Sequence, residues 1–437
     1  MVHHDTFSID FDWLDCSASS HQDRFTQASL GISVNDIVVT ELQDLLTKTV
    51  RPKMRVSAYD FAVWLMENWW RLVYEPERKG SLSWEMSHCM GSIGQGFLWP
   101  EICFISDGAV ITVESKATPR SAKQMARYLN SAQEQISKKV FIDEVFNFVD
   151  AVIGRLNESS STNHSLIDLR NVLNEEIQNP EESTWRQFEA LLGFDPDEAP
   201  KERVESLLTQ SQNFGEKSVC EVIASTGAVY DATFEWLESL HYGMGVCVTI
   251  PDADLLKKLT MRIDPDLRPW ERAEDAAKIV KKHWAISDYP VSSHQLSDLF
   301  SFLPEQIKGQ QKNVPMALGL RNGESDSIDT LFNSNFETNN RFSLLRVVAD
   351  HFYSSERDRI LPVTKVRTAR QKFQRAFAQE FLCPADQLNA FIDDDLSEEN
   401  IENAARHFNV SSRLVATTLL NKDILDRQRY YEKFSDS

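Results

Sequence analysis

Glu101, Glu114 and Lys116 have the residue types of a metal-assisted hydrolytic site and flank Asp107 and Gly108, a dipeptide suited to a two-residue hairpin turn. If Ser106 faces Ala109 across that turn, counting back along both strands sets Glu101 opposite Glu114. Strand alternation then puts Lys116 on the same face. Two carboxylates on one face can hold a divalent cation that activates water for phosphodiester cleavage, with a lysine steadying the developing charge. The same residues have a plainer reading. Like charges facing across a hairpin repel, and Lys116 or solvent at the open end compensates them as well as a metal does.

A second constellation lies in RFSLLRVVADH, residues 341–351. Arg346 and Asp350 stand at i and i+4, so on a helix they share a face and can form an ion pair. Phe342, Leu345 and Val348 would then face a core. His351 follows, with Glu356 and Asp358 downstream; these are candidates for a metal site, or for hydrogen-bonded and solvated side chains. His88 and Cys89 could suggest a nucleophile pair, but neighbours on a strand point to opposite faces and read as packing residues. The glycine pattern GSIGQG, Gly91 to Gly96, precedes a strand rather than the helix a phosphate loop requires.

RFSLLRVVADH and the later FQRAFAQEFLCP, residues 373–384, resemble the two motif helices of the ImmA/IrrE family of bacterial zinc metallopeptidases, typically RFTLAHELGH and EANxFAAELLMP. Further matches are PWERAEDAAKIVKKHWAISDYPVSSHQLSDLF at 269–300, a strand pair turning at Arg321, Asn322 and Gly323, and the closing IENAARHFNVSSRLVATTLLNKDIL. In that family two imidazoles at i and i+4, a glutamate base and a carboxylate from the later helix form the zinc site. Matched residue by residue, the first His falls on Arg346, the catalytic Glu on Val347, the second His on Asp350 and the third ligand on Phe373. The resemblance therefore implies a zincin-type domain without its zinc chemistry: a pseudo-metallopeptidase that binds or senses a protein partner. Its implied setting is stress response, mobile-element control or phage defence. No cofactor and no metal are expected. WPEICFISDGAVITVESK, residues 99–116, similarly resembles the core hairpin of PD-(D/E)xK nucleases, with Pro100 and Glu101 for the usual Pro-Asp and Glu114-Ser115-Lys116 as the ExK. That resemblance implies a divalent-metal nuclease as the alternative, and a peptidase with a relocated metal site is a third reading.

The expected fold is α+β and predominantly helical, in three regions. Residues 1–117 form a mixed α/β domain: Ser57 and Asp60 cap a helix bearing Phe61, Trp64, Leu65, Trp69 and Leu72 that stops before Pro76, and a hairpin follows a loop at 77–83. Residues 118–262 form a helical middle region, with KKVFIDEVFNFVDAVIGRL and WRQFEALLGF as helices around the polar linker ESSSTNHS. Residues 263–437 form the peptidase-like domain. Its ending also has the rhythm of a helix-turn-helix, which the family's closing helices explain equally.

A chain of 437 residues, 42% hydrophobic and with ten Trp, can bury several cores. No stretch reaches the length of a membrane span and the start lacks a signal-peptide pattern, so a cytoplasmic protein with no membrane partner is expected. Six cysteines, at 16, 89, 103, 220, 247 and 383, show no metal-ligand spacing and suggest a reducing compartment. A net charge of −20 disfavours nucleic acid as a partner. It leaves room for a local basic surface, and Lys365, Arg367, Arg370, Lys372 and Arg375 crowd one short stretch that reads as a solvated helix face.

Overall fold

The computed structural model describes residues 5–15, 25–121, 124–158, 165–227, 229–287, 289–308, 314–322 and 327–426. The expected turn at Gly323 and most of the ESSSTNHS linker lie outside these residues. The fold is α+β, and the chain divides into two compact units, Met1–Leu208 and Thr209–Ser437.

Unit 1 opens with β1 (Phe7–Trp13), β2 (Gln27–Val34), β3 (Ile37–Val38), β4 (Leu42–Asp44), β5 (Thr49–Arg51) and β6 (Met54–Ser57). Next come α1 (Ala58–Glu67), α2 (Trp69–Tyr74) and α3 (Leu82–His88), then β7 (Glu101–Ser106), β8 (Val110–Lys116), β9 (Ala126–Tyr128) and β10 (Ala132–Ser137). Helices α4 (Lys138–Asn157), α5 (Ser165–Gln178), α6 (Pro180–Leu192) and α7 (Lys201–Phe214) follow, the unit boundary falling within α7. The strands form three antiparallel sheets: β1-β2-β3 with β6 also on β2, β10-β8-β7, and β5-β4-β9. The Ser57 hydroxyl accepts the Asp60 amide at 3.2 Å, which starts α1. Helices α1 and α4 then lay an aromatic face on the strands: Phe61 meets Phe148 at 5.3 Å between centroids and Phe104 meets Phe141 at 5.3 Å.

Unit 2 continues with α8 (Glu216–Thr226), α9 (Asp231–Glu238), β11 (Val246–Thr249), α10 (Ala253–Thr260), α11 (Pro269–His283) and α12 (Ser293–Phe300). The strands β12 (Ala317–Arg321) and β13 (Ser327–Leu331) lead to α13 (Glu337–Tyr353), and β14 (Ile360–Val363) leads to α14 (Ala369–Leu382). Helices α15 (Ala385–Ile392), α16 (Glu398–Phe408) and α17 (Ser412–Asn421) close the unit. The sheet runs β11-β13-β12-β14, all antiparallel. Helix α13 sits close on it at Gly319, where a Cβ would come within 2.6 Å of Val347 Cγ1. Any larger residue there would push the helix off the sheet. Helices α11 and α14 pack side by side and are tied by the buried Lys281–Glu380 pair at 2.8 Å.

The segment read as a helical middle also contains β9, β10 and β11, which pair with β4, β8 and β13. These strands are short and half-buried, so helical periodicity on either side hides them. Cys89 and Cys103 form a disulfide. They stand 14 positions apart in the sequence, and only the return of the chain past α3, where Cys89 bridges to Cys103 of β7, brings them together. The argument from cysteines for a reducing compartment therefore falls. Among the described residues no helix is long and apolar enough to cross a membrane.

Candidate functional site

Helix α13 carries Arg346, Val347 and Asp350 on a buried surface. The expected Arg346–Asp350 ion pair is not made. Asp350, fully buried, is instead gripped by Arg370 of α14, whose Nε donates to Oδ1 at 2.7 Å and Nη2 to Oδ2 at 2.8 Å. Arg370 also reaches Asp358 at 3.3 Å and the Ser218 hydroxyl at 3.3 Å. Burial alone would lower this guanidinium, but the Asp350 and Asp358 carboxylates hold it above its ordinary range. The bidentate fork gives the pair geometric specificity as well as charge. Arg370 is 4% exposed and so leaves the solvated face that the basic stretch suggests, whereas Lys365 and Arg367 are exposed.

Arg346 turns the other way. Its Nη2 donates to the Thr364 carbonyl at 2.8 Å and to Gln371 Oε1 at 2.5 Å. Gln371 also accepts the Thr364 amide at 2.9 Å, and the Thr368 hydroxyl caps α14 by accepting the Gln371 amide at 3.3 Å. Burial first, and the charge of Arg375 second, push Arg346 down to about 9. Val347 is packed into the core against Gly319, and Phe373 is buried with its ring 4.9 Å from that of Tyr353. None of these side chains offers a free metal-ligating atom on this face.

His351, Glu356 and Asp358 do not converge. Asp358 is held by Arg370, and Glu356 is exposed and lies 3.7 Å from Lys257. The imidazole of His351 is pushed down to about 3 by burial and by the positive charges of Arg321 and Lys257, with its buried Nδ1 lacking a hydrogen-bond partner. Arg321 fixes the adjoining turn by donating to the His351 carbonyl at 3.1 Å, the Asp358 carbonyl at 2.9 Å and the Ser354 hydroxyl at 2.9 Å. Among the described residues, no group of three or more His, Cys, Asp or Glu is placed to hold a metal ion.

In unit 1 the β7–β8 hairpin lies where its residues suggest, but its register is displaced. Ser106 pairs with Ile111 rather than Ala109, so Glu101 faces Lys116 and Glu114 faces Cys103. The physical reason is Asp107, whose carboxylate accepts the amides of Ala109 and Val110 at 2.8 and 2.7 Å and widens the turn. A shift of two residues preserves strand parity. Glu101, Glu114 and Lys116 therefore share a face, with the carboxylates diagonal rather than opposite. Lys116 lies 3.6 Å from Glu114 and is 66% exposed, so it neutralises that carboxylate at the hairpin's open end.

His88 and Cys89 stand at the end of α3, not on a strand. His88 is fully buried, its ring nitrogens 2.8 Å from the Trp84 carbonyl and 3.1 Å from the Arg71 carbonyl, while the Cys89 sulfur is in the disulfide. The same part of unit 1 holds a cleft of about 510 Å³ lined by Tyr59, Trp64, Glu67, Arg71, Met86 and Asp195. Sequence reasoning missed it, because α1, α3 and the Asp195 loop meet only in three dimensions. Arg71 is neutralised there by Glu75 at 2.7 Å and Asp195 at 3.1 Å. Burial, with the nearby Asp195 charge, raises the Glu67 carboxyl above the usual range.

No protein-family model, curated protein or solved structure matches the chain.

Proposed function

We propose that unit 2 is a non-catalytic module of ImmA/IrrE type, in which a metallopeptidase site has been rebuilt as a fixed ionic core that supports binding or sensing. The observation that carries this reading is the exchange at the motif positions. Arg346, a guanidinium, stands where an imidazole would ligate, and Asp350 is occupied by the Arg370 fork. An arginine keeps its proton and offers only donors, so it repels a cation rather than binding one. Phe373 has no ligating atom, and Val347 cannot act as a base. Resemblance to the family supports a setting in stress response, mobile-element control or phage defence, with a protein partner.

The test is the metal content of protein purified without chelator, together with zinc titration followed by thermal melting and assay of peptide hydrolysis. The expected result is substoichiometric zinc, no shift in melting temperature and no hydrolysis. Near-stoichiometric zinc that disappears in Asp350→Ala or His351→Ala would overturn the proposal.

A further inference from the structure

The cleft of unit 1 is built by one stripe of side chains and a facing helix. Asp60, Val63, Trp64 and Glu67 recur at three- and four-residue spacing along α1, so they share a face, and Arg71 of α2 extends the line. Ser83 and Met86 of α3 form the opposite wall, and the turn after that helix adds Ile93 and Gln95. Two hydrogen bonds tie the walls together: Trp64 Nε1 donates to the Met86 carbonyl at 3.1 Å, and Arg71 Nη2 donates to the Ser83 carbonyl at 3.2 Å. The recess is therefore preformed, and its volume of about 510 Å³ suits a small molecule. Glu67, Met86 and Gln95 are exposed, so it opens to solvent.

Its charges are unequally met. Among the described residues Arg71 is the only cation in the lining, and its charge is taken up by Glu75 at 2.7 Å and Asp195 at 3.1 Å. Its Nε and both Nη groups all donate to protein acceptors. Glu67, by contrast, has no hydrogen bond or ion pair among the described residues. Burial first and the Asp195 charge second raise its carboxyl, and no cation offsets them. Asp60 adds another carboxylate to the same wall, while Val63, Trp64, Met86 and Ile93 supply apolar surface. The lining thus presents unspent negative charge beside an apolar wall.

We infer that this cleft binds a small organic cation, an ammonium group carried on a short apolar body, with Glu67 as its counter-charge. Such a ligand supplies the partner that Glu67 lacks, through a charge-assisted hydrogen bond stronger than a neutral one. The indole of Trp64 attracts positive charge as well. An anion would meet Asp60, Glu67 and Asp195 with Arg71 already engaged. A free small molecule is favoured over a basic protein segment because α1, α3 and the Asp195 loop bound the recess on three sides, whereas an extended peptide needs an open edge or a long groove. The site lies wholly in Met1–Leu208 and is independent of the reading of unit 2 as a pseudo-peptidase.

The experiment is calorimetric titration of the full chain with phenethylammonium in low-salt buffer at neutral pH, with phenethyl alcohol and hydrocinnamate as neutral and anionic counterparts and thermal melting in parallel. Saturable binding of the ammonium, about tenfold tighter than either counterpart, is expected. Glu67→Gln changes an exposed side chain without a partner, so it should melt as the parent does in the absence of ligand. It should nevertheless bind the ammonium about tenfold more weakly and lose the preference over the alcohol. Absence of saturable ammonium binding, equal affinity in Glu67→Gln, or a preference for hydrocinnamate overturns the inference. So does a terminally blocked lysine peptide that binds through Glu67 when the free amine does not.

Discussion

Asp350 is the residue whose environment departs furthest from what its spacing implies. Its neighbour at i−4 is an arginine, yet the partner that holds it is Arg370, twenty residues on and in another helix. Local spacing gives access only to same-helix partners, so the motif face was legible while its ion pairing was not. Removing the Asp350 carboxylate leaves the buried Arg370 with only Asp358, at 3.3 Å, as its paired carboxylate, and Asp350→Ala should destabilise unit 2 by about 3 kcal/mol. Arg346→Ala leaves no carboxylate unpaired and should cost clearly less; denaturant midpoints of the two variants check the order. The neighbouring His351 supplies a pH dependence. Its folded pKa of about 3 lies below the ordinary 6.5, so the unfolded chain binds the extra proton between those values. Its stability contribution is complete above about pH 6.5 and is lost as pH falls toward 3. Between pH 7 and pH 5 the native protein should lose roughly 1–2 kcal/mol more than His351→Gln. Equal losses in urea titrations at the two pH values would show that the ring is solvated.

At the scale of elements, hydrophobic periodicity and caps were informative. The hairpin near residues 101–116 and the paired helices carrying the two motif strings occur, and the capped aromatic helix at Ser57 occurs but breaks at Asn68, so that Trp69 and Leu72 lie on α2. The hairpin register was not legible, because one Asp107 side chain satisfying two amides decides the turn. With Glu114 neutralised by Lys116 and Glu101 facing that same lysine, a divalent cation must displace an ion pair to bind. Magnesium or manganese should therefore support no cleavage of single- or double-stranded DNA. Metal-dependent cleavage abolished by both Glu114→Ala and Lys116→Ala would restore the nuclease reading. The disulfide belongs to this scale too, since it staples the end of α3 to β7. Closing a loop of this length restricts the unfolded chain by about 3 kcal/mol in the entropy account. Cys103→Ser should lower the stability of unit 1 by that order, and a reductant should do the same to the native protein but not to the variant.

For the molecule as a whole, the helical patterning on either side of the polar linker within residues 118–262 disguised strands belonging to both units. Each unit has its own extended hydrophobic core, one built around Phe61, Phe104 and Phe148, the other around Val347, Phe377 and Phe381. Separate cores of this size usually unfold as separate cooperative transitions. Denaturant unfolding should accordingly show two steps, and the variants assign them. Cys103→Ser should move only the step of Met1–Leu208, while Asp350→Ala should move only that of Thr209–Ser437. Fluorescence and far-ultraviolet dichroism followed together provide the check. A single transition displaced by both substitutions would mean that the two cores unfold as one.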